Sequence, residues 1–142
     1  MKNKIIALLL LINFISCKTD DPHLNQKISA EITQTKHLNL SNEKSFVWDE
    51  LIILHPYSSI EMTENKHTIS LRNVSKNIEH SDDFNLLVFL KKKKAVKSIE
   101  LKRNLGDFEN IYDTLILQKD ANFILVGEIF SDNPALFKLN KK

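Results

Sequence analysis

The stretch FNLLVFLKKKKAVKSIELKR, residues 84–103, decides the fold. Its first seven residues place large apolar side chains on both faces of an extended strand, with Phe84, Leu86, Val88 and Leu90 on one face and Leu87 and Phe89 on the other. Four lysines interrupt this run, and apolar residues resume from Val96 to Arg103. We therefore expect a β-hairpin whose first strand is covered on both faces, although its tip lacks the Asn-Gly or Asp-Gly pair that favours such turns.

Shorter elements are expected on both sides of this hairpin. Residues 46–54 predict a strand that stops before Pro56, which has no amide hydrogen for a ladder. Ser58 or Ser59 could cap a short helix, and Ser58 with Glu61 forms a capping-box pattern. A brief alternation predicts a further strand within residues 67–78. Towards the C-terminus, the pattern predicts a second hairpin from residues 115–117 and 122–130, and then a short apolar piece at 135–139.

Together these elements predict one α+β domain over residues 45–142, with a small antiparallel sheet of about four to five strands and one or two short helices. A domain of about 100 residues buries somewhat more than about 60% of its unfolded surface, which is enough to fold alone. Residues 17–44 are polar and leave two alternatives open. Leu24, Ile28 and Ile32 are four apart and would share one helical face. The segment has few other large apolar residues, however, and could equally be a mobile tether.

The composition excludes several classes of protein. The chain has 142 residues, with one cysteine and two isolated glycines. One cysteine excludes a disulfide framework and a cysteine-built zinc site, and two isolated glycines exclude a glycine-rich phosphate loop. Lys2 and Lys4 account for two of the 20 basic residues, so the rest of the chain balances its 18 acidic residues. The formal net charge of +2 thus falls to zero if residues 1–16 are removed, and a chain without net positive charge is not expected to bind nucleic acid.

The first seventeen residues have the features of a lipoprotein signal. Lys2 and Lys4 form a short positive region, and residues 5–15 follow with a single polar member. This apolar segment is too short for a spanning helix, which needs roughly 20 residues, but it fits the core of a signal peptide. Its end, residues 14–17 (Phe-Ile-Ser-Cys), resembles a lipobox, where a bacterial lipoprotein signal peptidase cuts before a lipid-modified cysteine.

This resemblance implies a signal peptide at residues 1–16 and lipid attachment at Cys17. The cysteine would carry a diacylglyceryl group and an amide-linked acyl chain such as palmitate, and these chains would hold the protein in a membrane. An ordinary secretory signal is the alternative. A lone cysteine at the end of the apolar segment argues against it.

Lys18, Asp20 and Asp21 follow the cysteine. A basic residue before an acidic pair resembles the export tag that sends lipoproteins of Bacteroidota to the outer face of the outer membrane. The resemblance implies an outer-membrane protein exposed at the cell surface. The alternative is that these charges only solvate a tether.

The strongest charge feature is the lysine cluster, formed by Lys91, Lys92, Lys93, Lys94 and Lys97. It could contact anionic phosphate on lipid headgroups or lipopolysaccharide, with about 1 kcal/mol from each lysine. It could instead be a solvated hairpin tip that protects a sheet edge from pairing. The cluster has no interleaved aromatic residue, so it does not predict stacking on single-stranded nucleic acid.

No sequence pattern predicts catalysis or a bound cofactor. The five histidines lack the spacing of a local metal motif, so no metal is expected. Residues 79–83 contain the residue types of a hydrolytic triad, but adjacent side chains point in different directions. An enzyme could use His55 with Asp49 or Glu50, but Asp49 and His55 would lie about 20 Å apart in an extended strand, so that pair would need the chain to fold back. Trp48 is expected in the core and Tyr57 as a packed turn residue, rather than as an aromatic binding surface.

A second resemblance covers roughly residues 46–108. It is carried by Trp48-Asp49, Pro56-Tyr57, Asp82-Asp83 before residues 86–89, and Arg103 with Gly106-Asp107-Phe108. These motifs together resemble a group of small bacterial lipoproteins without an established activity. The resemblance implies a shared scaffold at these positions and carries over no catalytic residue.

The sequence therefore predicts a non-enzymatic, membrane-anchored lipoprotein of the cell envelope. Its domain is expected to contact another protein or the cell surface. A small inhibitor or immunity-type binding module is the alternative, and a hydrolase is a weaker one.

Overall fold

The computed structural model describes residues 19–108, 110–129 and 132–140. These ranges contain α1 (Pro22–Thr35), β1 (His37–Asn39), β2 (Glu50–Leu54), α2 (Ile60–His67), β3 (Phe84–Lys91), β4 (Lys94–Lys102), β5 (Asp107–Phe108), β6 (Leu115–Leu117), β7 (Asn122–Val126) and β8 (Leu136–Leu139). Short 3₁₀ helices lie at Leu40–Asn42, Lys76–Glu79, Arg103–Leu105 and Gln118–Asp120. Within these ranges, no helix has both the length and the apolar character needed to span a bilayer. The predicted signal peptide, Cys17 and Lys18 lie outside the described residues.

The strands form two four-stranded sheets. The first sheet has the order β4-β3-β2-β6 and is antiparallel throughout. The second has the order β1-β7-β8-β5, in which β5 and β8 pair in parallel. The α+β class is confirmed. The strands divide between two sheets because the central strands of the first sheet are apolar on both faces, and one of those faces is covered by the second sheet.

The hairpin predicted from residues 84–103 is confirmed. β3 and β4 pair along their length, with one irregularity of register between Phe89 and Leu90. Leu87 and Phe89 enter the core between the two sheets. Leu86 and Val88 enter a second core on the opposite face, closed by α2 and the segment that follows it. The apolar pattern thus correctly predicts that β3 is covered on both faces.

The second predicted hairpin is wrong. β6 pairs with β2 in the first sheet, whereas β7 pairs with β1 and β8 in the second. The 3₁₀ turn Gln118–Asp120 carries the chain between the sheets. Ile116 of β6 and Phe123 of β7 both lie in the core between the sheets, and this shared core separates the two strands that a hairpin would have paired.

The aromatic residues near β2 have different environments. Trp48 is buried, as predicted, and its indole Nε1 donates to the carbonyl of Glu43 at 3.0 Å. This inward contact keeps the preceding residues out of the sheet, so the strand predicted over residues 46–54 begins only at Glu50. The prediction that Tyr57 packs in the turn is wrong, because 62% of this residue is exposed.

The strand predicted within residues 67–78 is also wrong. A single bridge joins Ser70 to Lys94, and the segment ends in the 3₁₀ turn Lys76–Glu79. Its apolar side chains instead close the second core: Ile69, Leu71, Val74 and Ile78. The predicted short helix is present as α2, and its N-cap is Ser59 rather than Ser58 of the capping-box pattern.

Residues 22–44 are folded onto the domain. Of the two alternatives left open by the sequence, the structure has the helix, α1, capped by Asp21. Its apolar side chains pack into the core between the sheets: Leu24, Ile28 and Ile32. β1 then pairs with β7 as the edge of the second sheet. The folded region therefore includes residues 19–44 as well as the domain predicted over residues 45–142.

A polar network joins the two sheets. Asp107, on β5, accepts two hydrogen bonds from Arg103 at 2.8 and 2.6 Å and one from the buried amide of Asn85, on β3, at 3.0 Å. The Tyr112 hydroxyl donates to Asn85 Oδ1 at 2.7 Å and accepts from Phe108 N at 3.1 Å. Arg103, Asp107 and Phe108 are among the scaffold positions of the second sequence resemblance, and the network gives them a structural role.

Burial and charge fix the ionisation of this network. Burial raises the pKa of Tyr112 to about 12, so its hydroxyl keeps its proton. Burial alone would also raise the pKa of Asp107, but the hydrogen bonds from Arg103 and Asn85 outweigh it and hold that pKa below its ordinary value.

Gly106 precedes Asp107 with φ 145°, and a Cβ there would lie 2.6 Å from Leu125 Cδ1. Glycine is therefore needed where the chain enters the second sheet.

We expect Arg103→Ala to lower the free energy of unfolding by about 1–2 kcal/mol, because a largely buried carboxylate loses a charged donor. The value lies at the lower end for charged hydrogen bonds because 40% of the Arg103 side chain is exposed. Asp107→Asn should also destabilise the fold. Urea unfolding of both single variants and the double variant should show that the combined loss is smaller than the sum, since the residues share one interaction.

The pH dependence provides the control. The pKa of Asp107 is lower in the folded chain, so its stabilisation is present at neutral pH and is lost as the pH falls below about 4. Arg103→Ala should make this acid-induced loss smaller. An unchanged acid limb together with additive effects of the two substitutions would contradict the interpretation.

Candidate functional site

The outer edge of β4, called the β4 edge, is bonded to residues 19–21, the first residues that the structure describes. Ser98 N donates to Thr19 O at 2.7 Å, and Asp21 N donates to Ser98 O at 3.1 Å. The Thr19 hydroxyl also donates to the carbonyl of Asn73 at 3.1 Å. Residues 19–21 thus lie along β4, and Thr19 is buried.

Two predicted export-tag residues are described, and their surroundings differ. Asp20 is exposed. Asp21 caps α1, and Lys97 Nζ lies 2.6 Å from its carboxylate. The hydrogen bond from Lys97 is the main reason that the pKa of Asp21 lies below its ordinary value. Sequence reasoning missed this structural role because the two residues are 76 positions apart.

The same edge ends in the lysine cluster. Three of its five lysines pair with carboxylates of the domain: Lys91 with Asp49 at 3.4 Å, Lys93 with Glu50 at 2.7 Å and Lys97 with Asp21 at 2.6 Å. Lys92 and Lys94 are exposed, and no carboxylate among the described residues pairs with either. The cluster therefore presents two free cations to solvent, fewer than its composition indicates.

The hairpin tip holds lysines in an unfavourable conformation. Lys92 and Lys93 have φ values of 47° and 65°. Two-residue hairpin turns of this kind favour Asn and Gly, and left-handed backbone costs other residues roughly 1–2 kcal/mol each. Backbone preference therefore does not explain lysine at these positions.

A shallow hollow of about 510 Å³ lies beside the tip. Its lining includes Lys92, Lys93, Lys94 and Ser70. Glu64 also lines it, but Oε1 of this carboxylate already accepts from Leu71 N. Lys92 and Lys94, which no described carboxylate pairs, thus border a hollow whose charge could attract an anionic group such as a phosphate.

The opposite edge of the first sheet, called the β6 edge, borders a cleft of about 770 Å³. One wall is the strand itself, with residues 114–117 in succession. The other wall comes from the second sheet and its turns: Asn39, Ser41, Asn42, Asn122, Leu139 and Asn140. Sequence reasoning missed this cleft because its asparagines come from separate segments that only the fold brings together.

The residues considered for catalysis are engaged elsewhere. The Asp49 carboxylate accepts from Lys92 N at 3.2 Å, and His55 Nδ1 lies 2.6 Å from the carbonyl of Pro56. The structure therefore does not form the Asp49–His55 pair. In the stretch 79–83, Glu79 accepts from the first amide of α2 at 2.8 Å, which is a structural contact.

A histidine–aspartate pair lies between α2 and the loop before β6. His67 Nε2 is 2.9 Å from Asp113 Oδ1, and Lys66 bonds the other carboxylate oxygen. Burial alone would raise the pKa of Asp113, but the hydrogen bonds from Lys66 and His67 outweigh it and keep the pKa below its ordinary value. The pair fastens the end of α2 to this loop.

Across the described ranges, no three His, Cys, Asp or Glu side chains are grouped so that they could hold a metal ion.

Comparisons with known proteins assign no family to the chain. It matches no protein-family model, no curated protein and no solved structure.

Proposed function

We propose that this chain is a lipoprotein of the bacterial cell envelope, anchored in the outer membrane by acyl chains on Cys17. Its domain acts by contact with another protein or the cell surface rather than by catalysis. The lipobox-like sequence that ends at the chain's one cysteine carries the proposal.

The β4 edge supports this proposal through its distance from the anchor. Only Lys18 separates Cys17 from Thr19, and two residues of extended chain span at most about 7 Å. Since Thr19 is bonded to β4, acyl chains on Cys17 would hold the β4 edge at the membrane surface. Lys92 and Lys94 extend from the same edge and would meet the phosphates of the headgroups, with about 1 kcal/mol from each.

This orientation separates two surfaces of the first sheet. Three strand spacings lie between β4 and β6, and each spacing is about 4.8 Å. When the β4 edge lies at the membrane, the β6 edge is therefore about 14 Å further from it. The β4 edge is thus the membrane side, and the β6 edge is available to a partner.

Cys17→Ala should move the protein from the membrane fraction to the soluble fraction and abolish labelling with an alkyne-tagged palmitate. The lipid attaches through this thiol, and no other cysteine can replace it. Ser16→Ala is the matched control, because it keeps a small residue before the cysteine and should remain labelled. Labelled, membrane-bound Cys17→Ala protein would contradict the anchor.

The export tag should be tested through Lys18 and Asp20. Asp21 also caps α1 and binds Lys97, so its substitution would disturb the fold as well. We expect protease added to intact cells to digest the wild-type protein but to spare Lys18→Ala combined with Asp20→Ala, which should be digested only after the outer membrane is opened. Digestion of both proteins in intact cells would contradict the tag, and protection of both would contradict surface exposure.

The membrane contact of the β4 edge should be measured in residues 17–142 carrying Cys17→Ala, which removes the lipid. Lys92→Gln should weaken binding to vesicles that contain anionic phospholipid by about fivefold, equivalent to about 1 kcal/mol. Lys119→Gln makes the same change in net charge beside the β6 edge and should leave binding unchanged. Equal losses for the two variants would show that net charge, and not the β4 edge, sets the binding.

A further inference from the structure

We infer that the β6 edge takes up an extended segment of a partner protein as an additional strand of the first sheet. The inference rests on the proposed function in one respect, the contact with another protein. It does not rest on the lipid anchor.

The main chain of β6 presents free hydrogen-bonding groups to the cleft. Gln118 N donates to Asp49 O, and Asp113 N donates to Ile53 O, both at 2.9 Å. The two acceptor carbonyls, Asp49 and Ile53, both face β6, so Leu51, midway between them, faces β6 as well. The register pairs Leu51 with Ile116, so the main-chain groups of Ile116 face β2. Since peptide groups alternate in direction along a strand, the N–H and C=O groups of Leu115 and Leu117 point away from β2. No described group forms a hydrogen bond with them.

Other edge strands have partners for outward-facing amides. On β1, His37 N donates to Thr35 Oγ1 at 3.1 Å and Asn39 N donates to Glu31 Oε1 at 3.4 Å. On β5, Phe108 N donates to Tyr112 Oη at 3.1 Å. On β4, Ser98 N donates to Thr19 O at 2.7 Å. On β6, by contrast, the outward groups face the cleft. An open strand edge is a template for pairing with another chain.

The chemistry of the cleft fits an uncharged, extended peptide. The side-chain amides of Asn42, Asn122 and Asn140 form no hydrogen bond with another described residue. Leu117 is 49% exposed and offers an apolar contact beside the free main chain. The charged members of the lining are Lys119 and Asp120, which have opposite signs. A segment with alternating apolar and polar side chains could satisfy the strand and the asparagine wall together.

The second wall favours a single strand over a second copy of this domain. It lies opposite β6 across the cleft, so the space beside the edge is bounded on two sides. In a second copy of the domain, other elements cover both faces of the first sheet beside its edge strand. These elements would also have to fit into this bounded space. A lone peptide strand carries no such layers, and the three residues of β6 can pair with about 10 Å of it.

The test uses the full chain in detergent micelles and a synthetic probe. The probe is a capped heptapeptide of alternating threonine and valine. Its binding is measured by nitrogen–proton correlation NMR of the protein. We expect the amide signals of Leu115 and Leu117 to shift on titration. At a peptide concentration of about nine times the dissociation constant, their hydrogen exchange should slow about tenfold, since one site in ten is then free. The same peptide with N-methyl groups on its three central residues should produce neither change.

Two variants separate the main chain of Leu117 from its side chain. Leu117 has φ −65°, which is the proline value, and its N–H makes no bond to β2. Leu117→Pro should therefore fold with an unchanged unfolding midpoint and weaken peptide binding about five- to tenfold, the effect of one hydrogen bond. Leu117→Ala keeps the N–H and should weaken binding less. The Cys17→Ala protein should bind the peptide like the wild type, so the anchor and the strand-addition site can fail independently.

Several results would overturn the inference. These are equal binding of the N-methylated peptide, no change at Leu115 and Leu117 at millimolar peptide, and equal losses in Leu117→Pro and Leu117→Ala. Sedimentation must also show a monomer. A concentration-dependent dimer that Leu117→Pro abolishes would assign the β6 edge to a second copy of the chain instead.

Discussion

The fold depends on the burial of β3 on both faces and along both edges. Its apolar residues point alternately into two cores, and its edges are paired with β2 and β4. Such a strand is stable only when other layers exclude water from both faces. The second sheet and α1 cover one face, and α2 with residues 69–78 covers the other. The remaining elements are arranged around this requirement.

Two-sided burial also limits where the chain can act. The faces of the first sheet are closed, so its free surface consists of its two edges and the hairpin tip. The two edges of the first sheet, on β4 and on β6, differ in whether their main-chain groups are bonded. Residues 19–21 and Ser70 bond to β4, whereas the main chain of β6 faces a cleft lined by uncharged side chains. The same sheet thus has one edge fixed to the N-terminal segment and another that remains open.

The polar groups of the domain divide into structural and free ones. Asp21, Asp107 and Asp113 each lie in contact with a basic side chain that holds the pKa low, and each fastens one element to another. Lys92 and Lys94, by contrast, project from a turn whose backbone favours other residues. The hairpin tip therefore carries two adjacent exposed cations that no described carboxylate pairs, close to the edge that residues 19–21 bond.

The sequence by itself determined the α+β class, the hairpin of residues 84–103 and the two-sided cover of β3, because side-chain periodicity is local and acts through nearest neighbours. It also contains the lipobox-like motif at residues 14–17, which is a local sequence pattern. Only the tertiary structure decided that β6 and β7 join different sheets, that α1 belongs to the core, and that Asp21 meets Lys97. Each of these depends on contacts between distant segments, whose free energy comes from filling a shared core and which no local pattern records.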